Sequence, residues 1–160
     1  MRQYGPSFGI GFVAGMRSMS ACAALTWAAS QGRTRGDLIP SGPRARALAT
    51  TFAAAEMAGD KMPFAPDRRI PPSFALRLAI GAVGGWALTR RGGSPEYSAL
   101  AGVAGAIAGT LLGRSARGGD SHTAADRSLG LVEDAVAAGL AVIVVRSAEP
   151  ERQSGLSRSI

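Results

Sequence analysis

The sequence predicts an all-α protein, namely a polytopic membrane helix bundle of four or five short spans rich in glycine and alanine. Of its 160 residues, 46% are hydrophobic, only 6% are aromatic, and 22 are glycine. Five apolar segments alternate with polar loops, and most of the arginines stand in those loops, as charges do at the ends of membrane spans. Because alanine and glycine dilute the hydropathy, an alanine-rich helical bundle in water remains the alternative.

The five apolar segments differ in how well they fit a membrane. They comprise residues 8–29, 45–59, 74–89, 97–113 and 129–145. A hydrocarbon layer of about 30 Å needs about 20 helical residues, with roughly 17 as the minimum, and the first, fourth and fifth segments meet this. The third nearly does if Arg77 and Arg90 extend to the two interfaces. The second is short and contains Glu56, so it spans only with both ends at the interfaces or enters the layer partway.

Glycines spaced four residues apart predict close helix packing. They form three sets: Gly11 and Gly15, Gly81 and Gly85, and Gly105, Gly109 and Gly113. Small residues at this spacing lie on one helix face and let two backbones approach closely, as in membrane helix pairs. In a helix exposed to water each would cost about 1 kcal/mol relative to alanine. The first, third and fourth segments are therefore expected to pack compactly.

The two ends of the chain are predicted to differ. Arg2 and the apolar run after it resemble a secretory signal, but Arg17 interrupts the run and further apolar helix follows, so we expect a retained span. Residues 1–147 then form one membrane helix bundle, and residues 148–160 form a polar, disordered tail. The predicted location is a membrane that the chain crosses several times. Basic residues are nearly balanced between the two sides and give no orientation.

Charged residues within the apolar segments are the candidate functional residues. Arg17, near the middle of the first segment, would cost roughly 2.5–3.5 kcal/mol at the centre of a membrane helix, so it should face the interior and meet an acid. The candidates are Glu56 and the adjacent pair Glu133 and Asp134. Asp60 lies four residues after Glu56, on the same helix face. These charges form either an ion-pair cluster that fixes the packing or a polar pathway in which a carboxylate exchanges a proton.

Several other classes of function are disfavoured. The net charge of +7 would suit a nucleic-acid-binding protein, but the arginines do not line one helix face. Cys22 is the only cysteine, which excludes an internal disulfide and a cysteine-based zinc site, and His122 has no evident ligand partners. No catalytic triad, metal-ligand spacing or phosphate loop is visible in the sequence. We therefore predict no enzymatic activity, no cofactor and no metal. Trp27 and Trp86, near segment ends, are predicted to anchor at the membrane interface.

Four stretches carry a family resemblance. In chain order they are GMRSMSACAALTWAA (15–29), AEMAGDKMPFAPDRRIPPSFALRLAIGAVGG (55–85), AGVAGAIAGTLLGRSAR (101–117) and LVEDAVAAGLAV (131–142). The chain resembles the bacterial family of small integral membrane proteins labelled domain of unknown function 4126. The matching positions are Arg17, Ser18, Glu56, Asp60, Lys61, Pro63, Pro66, Pro71, Pro72, Glu133 and Asp134. Cys22 and the PDRR of the proline-rich loop depart from the family pattern. The resemblance implies residence in the bacterial inner membrane and identifies no activity.

Together these observations predict a membrane protein that binds or moves a small solute, ion or lipid through a polar centre. The residues assigned to that centre are Arg17, Ser18, Glu56, Asp60, Lys61, Glu133 and Asp134. The expected partners are membrane lipid and either further copies of the chain or a larger membrane complex, but not nucleic acid. An accessory or scaffold subunit is the alternative role, and a membrane-embedded enzyme acting on lipid is the weakest one. A faint likeness of segments one and two to segments four and five adds the hypothesis of an inverted repeat.

Overall fold

The computed structural model describes residues 3–59, 71–115 and 124–148, which form six α-helices and no strand. The helices are α1 (Gly5–Met16), α2 (Ser18–Ser30), α3 (Pro43–Gly59), α4 (Pro71–Ala87), α5 (Pro95–Ser115) and α6 (Ala124–Ser147). The all-α prediction is confirmed for these residues, and the predicted tail beyond residue 148 lies outside them. Each of the last four apolar segments is one helix, whereas the first is divided at Arg17 into α1 and α2. The two halves of the hypothesised inverted repeat differ here, because the fourth segment is undivided.

Proline and glycine define the ends of several helices. Pro43, Pro71 and Pro95 are the first residues of α3, α4 and α5, where no intrahelical N–H donor is needed and the fixed φ suits the helix. After α2, Gly32 has a φ of +62°, a left-handed conformation that glycine adopts without strain. Its N–H donates to the Ala29 carbonyl at 3.0 Å. This bond satisfies one of the carbonyl groups that the end of α2 leaves without a helical partner.

Helices α1, α4 and α5 pack so closely that backbone meets backbone. A Cβ added at Gly11 would lie on the Gly102 carbonyl, and one added at Gly102 would lie on the Gly81 carbonyl. The buried Ser7 hydroxyl donates to the Gly85 carbonyl at 2.9 Å, which joins α1 to α4. Backbone atoms of a neighbouring helix also occupy the Cβ positions of Gly15, Gly85, Gly105 and Gly109. The glycine spacing in the sequence therefore predicted which helix faces meet.

The other three helices pack on one side of this unit or on one another. Helix α6 packs against α1 and α2, and α3 packs mainly against α2. The apolar core joins Ile10 and Val13 of α1 to Leu25 of α2, Leu88 just after α4 and Val144 of α6. Because α1 and α2 both contribute to this core, the junction between them lies inside the protein.

The loop after α2 fastens the C-terminal end of α6. Arg33 Nη1 lies 3.2 Å from the Val145 carbonyl oxygen, 2.9 Å from that of Arg146 and 3.0 Å from that of Ala148. Carbonyl groups at a helix C-terminus have no partner within the helix, and a cation there also interacts favourably with the helix dipole. One guanidinium group thus links residues that are more than 100 positions apart in the chain.

Among the described residues, no helix has both the length and the hydropathy that crossing a membrane requires. The predicted multi-pass location in the inner membrane is therefore wrong. The break at Arg17 leaves α1 and α2 with 12 and 13 residues, and α3 and α4 have 17 each. At about 1.5 Å per residue these helices are shorter than a hydrocarbon layer of about 30 Å. Helices α5 and α6 are longer, with 21 and 24 residues, but alanine, glycine and polar side chains lower their hydropathy.

Two side chains that were predicted to lie at membrane interfaces have different surroundings. Arg77 is only 9% exposed, and it is buried against the end of α1. The ring of Trp27 is covered by the Arg46 guanidinium, whose central carbon lies 5.0 Å from the ring centroid. The Trp27 Nε1–H also points to Thr50 Oγ1 at 3.3 Å. Trp27 therefore joins α2 to α3, where a cation over an aromatic face is attractive.

Candidate functional site

The helix break at Arg17 is the centre of the candidate site. Arg17 has φ −144° and ψ 101°, an extended conformation between two helices. Its N–H donates to the Val13 carbonyl at 2.7 Å, and its own carbonyl accepts from the Ala21 N–H at 3.2 Å. A break of this kind leaves carbonyl groups at the end of α1 and N–H groups at the start of α2 without helical partners. These carbonyl groups carry a partial negative charge, and these N–H groups carry a partial positive charge.

Helices α4 and α5 supply hydrogen-bond donors to the end of α1. Arg77 Nη1 donates to the Gly15 carbonyl at 2.6 Å, in a fully buried contact. The Thr110 hydroxyl lies 3.3 Å from the same oxygen and 2.8 Å from the Ala106 carbonyl in its own helix. A guanidinium at a helix C-terminus interacts favourably with the helix dipole. The carbonyl that the break leaves without a helical partner is thus satisfied by a charged donor from a different helix.

Helix α3 supplies a carboxylate to the start of α2. Glu56 Oε2 accepts the Met19 N–H at 3.0 Å. Arg17 occupies the N-cap position of α2, and its own side chain makes no capping hydrogen bond. Helix N-termini favour such an acceptor because it satisfies an N–H group and interacts well with the helix dipole. Glu56 therefore acts as an N-cap for α2, although it lies 37 residues away in the sequence.

The Arg17 side chain forms a buried ion pair with α6. Its Nη2 lies 2.5 Å from Asp134 Oδ1, and the two side chains are 3% and 9% exposed. Two ionised groups stay buried only when each is compensated, because their removal from water costs several kcal/mol per ion. Asp134 is one of the partners that the sequence left open for Arg17, so the structure selects it over Glu56 for this contact.

All six helices meet at the break. We use the name break cluster for the side chains of Arg17, Glu56, Arg77, Thr110 and Asp134, which bond to one another or to the backbone of residues 15–19. Its two arginines and two acids give a formal charge of zero. Each end of the break has a charged side chain of the sign opposite to its dipole. The arrangement can therefore hold charge inside the protein without a net charge of its own.

A small cavity lies beside α2. It has a volume of about 270 Å³ and is lined by Cys22, Leu25, Thr26, Ile39, Pro40, Ala79, Ile80 and Val83. The pKa of the Cys22 thiol is raised above its ordinary value, first by burial and second by the negative charge of Glu56. The Cys22 thiol therefore lies close enough to Glu56 for the carboxylate charge to act on it.

The remaining predicted site residues have different outcomes. Ser18 is buried at the first position of α2. Asp60 and Lys61 lie outside the described residues, and Glu133 lies in α6 with only its backbone described. In the parts of the chain that are described, no three His, Cys, Asp or Glu side chains are grouped so that they could hold a metal ion.

Sequence reasoning missed Arg77 and Thr110. Arg77 was assigned to a membrane interface, although it is an arginine within an apolar helix, which is the signal that singled out Arg17. Applied consistently, that signal would have placed both arginines inside the bundle. Thr110 carries no such signal, because a threonine within a helix commonly bonds to its own backbone.

Comparison with known proteins gives no match to a family model, to a curated protein or to a solved structure. The resemblance to the family labelled domain of unknown function 4126 therefore stays a prediction.

Proposed function

We propose that the break cluster binds a small anion, with a carboxylate as the simplest example, and that the chain is a binding protein rather than an enzyme. The supporting observation is the contact of Glu56 with the Met19 N–H at the start of α2. Helix N-termini bind anions through their N–H groups and dipole, and here a carboxylate of the chain itself occupies that position. Transport is not part of the proposal, because no described helix could cross a membrane.

The surroundings of Glu56 allow an external carboxylate to take its place. Glu56 is only half-buried, so solvent and a small solute can reach its side chain. The buried Ser20 hydroxyl in the first turn of α2 has no hydrogen-bond partner among the described residues. A bound anion could accept both the Met19 N–H and this hydroxyl. The binding position thus has backbone and side-chain donors in the same helical turn.

The test is chemical rescue of a Glu56→Ala variant. Loss of an N-cap acceptor costs about 0.5–2 kcal/mol, so the variant should melt a few degrees below the parent. Sodium acetate should then raise the melting temperature of the variant more than that of the parent, because in the parent Glu56 competes for the same position. Sodium chloride at equal ionic strength corrects for screening.

Glu96→Ala is the matched control for this test. Glu96 is an exposed carboxylate in the first turn of α5, where it accepts from the Ser94 hydroxyl. Acetate should give this variant no specific stabilisation. If acetate stabilises Glu56→Ala no more than Glu96→Ala, then the start of α2 does not bind a free carboxylate and the proposal is wrong.

A second candidate role is that of a non-catalytic subunit in a larger assembly. The observation that favours it is the number of large apolar side chains left exposed on α3, α4, α5 and α6. Contiguous exposed apolar surface commonly marks an interaction site. Cross-linking of the tagged chain in its own cells, followed by mass spectrometry, should give one partner at a fixed ratio. Recovery of the chain without a cross-linked partner would count against this role.

A further inference from the structure

Helix α5 has an apolar outer face opposite the face that packs in the core. We call this face the α5 stripe and define it as Tyr97, Leu100, Ala104, Ile107 and Leu111, all of which are exposed. Its four large side chains are between 39% and 64% exposed. Spacings of three and four residues place all five on one side of the helix. The side that carries Gly102, Gly105 and Gly109 is turned toward α1 and α4.

The composition of α5 indicates that the stripe is covered by another molecule. From Tyr97 to Gly113 the sequence contains no charged residue. A helix that is apolar on all sides is normally buried on all sides. The inner side of α5 is buried within the chain, but the outer side has no covering element among the described residues.

The stripe is complementary to a second copy of itself. Tyr97 lies seven residues before Ala104 and Leu111 lies seven after it, while Leu100 and Ile107 lie four before and three after. An antiparallel crossing at Ala104 therefore brings Tyr97 opposite Leu111 and Leu100 opposite Ile107. A twofold interface has this property, because each residue pair must occur twice. The small Ala104 at the crossing point allows the two backbones to approach closely.

The charges at the two ends of α5 favour the same arrangement. The first turn contains Glu96, and the last turn contains Arg114. In an antiparallel pair the acidic first turn of one helix lies beside the basic last turn of the other, at both ends of the interface. The two helix dipoles also oppose each other, which is the favourable orientation. A parallel pair would place like charges together.

We propose that the chain forms a twofold dimer in which the α5 stripes of two copies cross antiparallel at Ala104. The proposal is independent of anion binding, since the stripe lies on the outer face of α5 and the break cluster lies within the bundle. Sedimentation equilibrium of the parent should give a dimer. Leu100→Glu should raise the dimer dissociation constant at least tenfold, since it places a charge within the apolar interface.

Leu48→Glu is the matched control, because Leu48 is similarly exposed but lies on α3. It should leave the dissociation constant unchanged. Circular dichroism of each variant shows whether its helix content is intact. A parent that stays monomeric at high concentration would overturn the proposal, and so would a Leu100→Glu variant that dimerises as well as the parent.

Cysteine cross-linking tests the orientation in a Cys22→Ser background, which has no other cysteine. Ala104→Cys should form a disulfide between two copies on mild oxidation, because the twofold axis brings this position next to itself. Tyr97→Cys alone should not, but a mixture of Tyr97→Cys and Leu111→Cys chains should form mixed disulfides. Self-linkage of Tyr97→Cys with no mixed product would show parallel pairing and refute the antiparallel arrangement.

Discussion

The substitution Gly102→Ala should destabilise the protein strongly although it adds a single methyl group. Gly102 lies where α5 crosses both α1 and α4. The new Cβ would lie on the Gly81 carbonyl and 3.2 Å from the Gly85 Cα. These are backbone atoms, so no side chain can rotate away and the helices must separate.

The expected change in the free energy of unfolding is the sum of two opposing contributions. Overpacking in a core costs about 1–3 kcal/mol, and this site belongs at the upper end because the backbone cannot yield locally. Replacing glycine with alanine within a helix stabilises the helix by about 1 kcal/mol. The net loss is therefore about 2 kcal/mol in the free energy of unfolding. For a chain of this size that corresponds to a decrease of about 4–8 °C in Tm.

Gly139→Ala is the matched control in the same measurement. Gly139 also lies within a helix, α6, but a Cβ added there meets no atom within 4 Å. Urea unfolding followed by circular dichroism should show this variant to be more stable than the parent by up to about 1 kcal/mol. If Gly102→Ala is as stable as the parent or more stable, then α1, α4 and α5 do not meet through their glycines and the packing described above is incorrect.

Three further predictions concern charged and titratable groups. Asp134→Asn should lower the free energy of unfolding in urea by about 3–5 kcal/mol, and the double variant Arg17→Met, Asp134→Leu should lose less, because both buried charges are then removed. Arg33→Met should speed hydrogen exchange of the amides in the last turn of α6, since hydrogen bonds from a charged group contribute about 1.5–3 kcal/mol. Alkylation of Cys22 by iodoacetamide should be slow near pH 8 and faster in Glu56→Gln, because one of the two causes that raise the pKa of this thiol is then absent. A raised thiol pKa also means that the stability contribution of Cys22 is present below its ordinary pKa of 9.0 and is lost as pH rises further, so Cys22→Ala should weaken the decline of Tm above pH 9.0.

Each of these has a contradicting result. Asp134→Asn with parental stability would mean that the ion pair contributes little. Equal hydrogen-exchange rates for the last-turn amides of α6 in the parent and in Arg33→Met would mean that this arginine does not hold the helix end. Equal alkylation rates in the parent and Glu56→Gln would place the Glu56 charge too far from Cys22 to influence it.

Apolar segments were sufficient to predict the all-α class, and glycine spacing predicted which helix faces pack closely. Gly11, Gly81 and Gly105 each lie four residues before another glycine of the same helix, so the two glycines share one helix face. Close contact between two backbones depends on which face carries the glycines. The assignment to a membrane failed because the same small residues also suit helices that are too short or too weakly apolar to span one. Glycine pairs report how closely two backbones approach and do not identify the solvent around them.

The break at Arg17 could not be predicted from the sequence. The residues around it, GMRSMS, contain no proline, and the apolar pattern continues through them. The break depends on groups that are distant in the chain, with Arg77 at the Gly15 carbonyl and Glu56 at the Met19 N–H. A local pattern cannot contain this information. Arg17 does lie in the interior beside an acid, but the sequence argument for this position assumed a membrane span, which no described helix provides.

The position of the break in the chain has a consequence for synthesis on the ribosome. Asp134 is synthesised 117 residues after Arg17. At about 5–20 residues per second this interval lasts roughly 6–23 s. During this time the guanidinium lacks its α6 carboxylate, so the junction of α1 and α2 must stay hydrated or be protected by a chaperone. The core around Arg17 can therefore be completed only after the part of α6 that carries Asp134 has been synthesised.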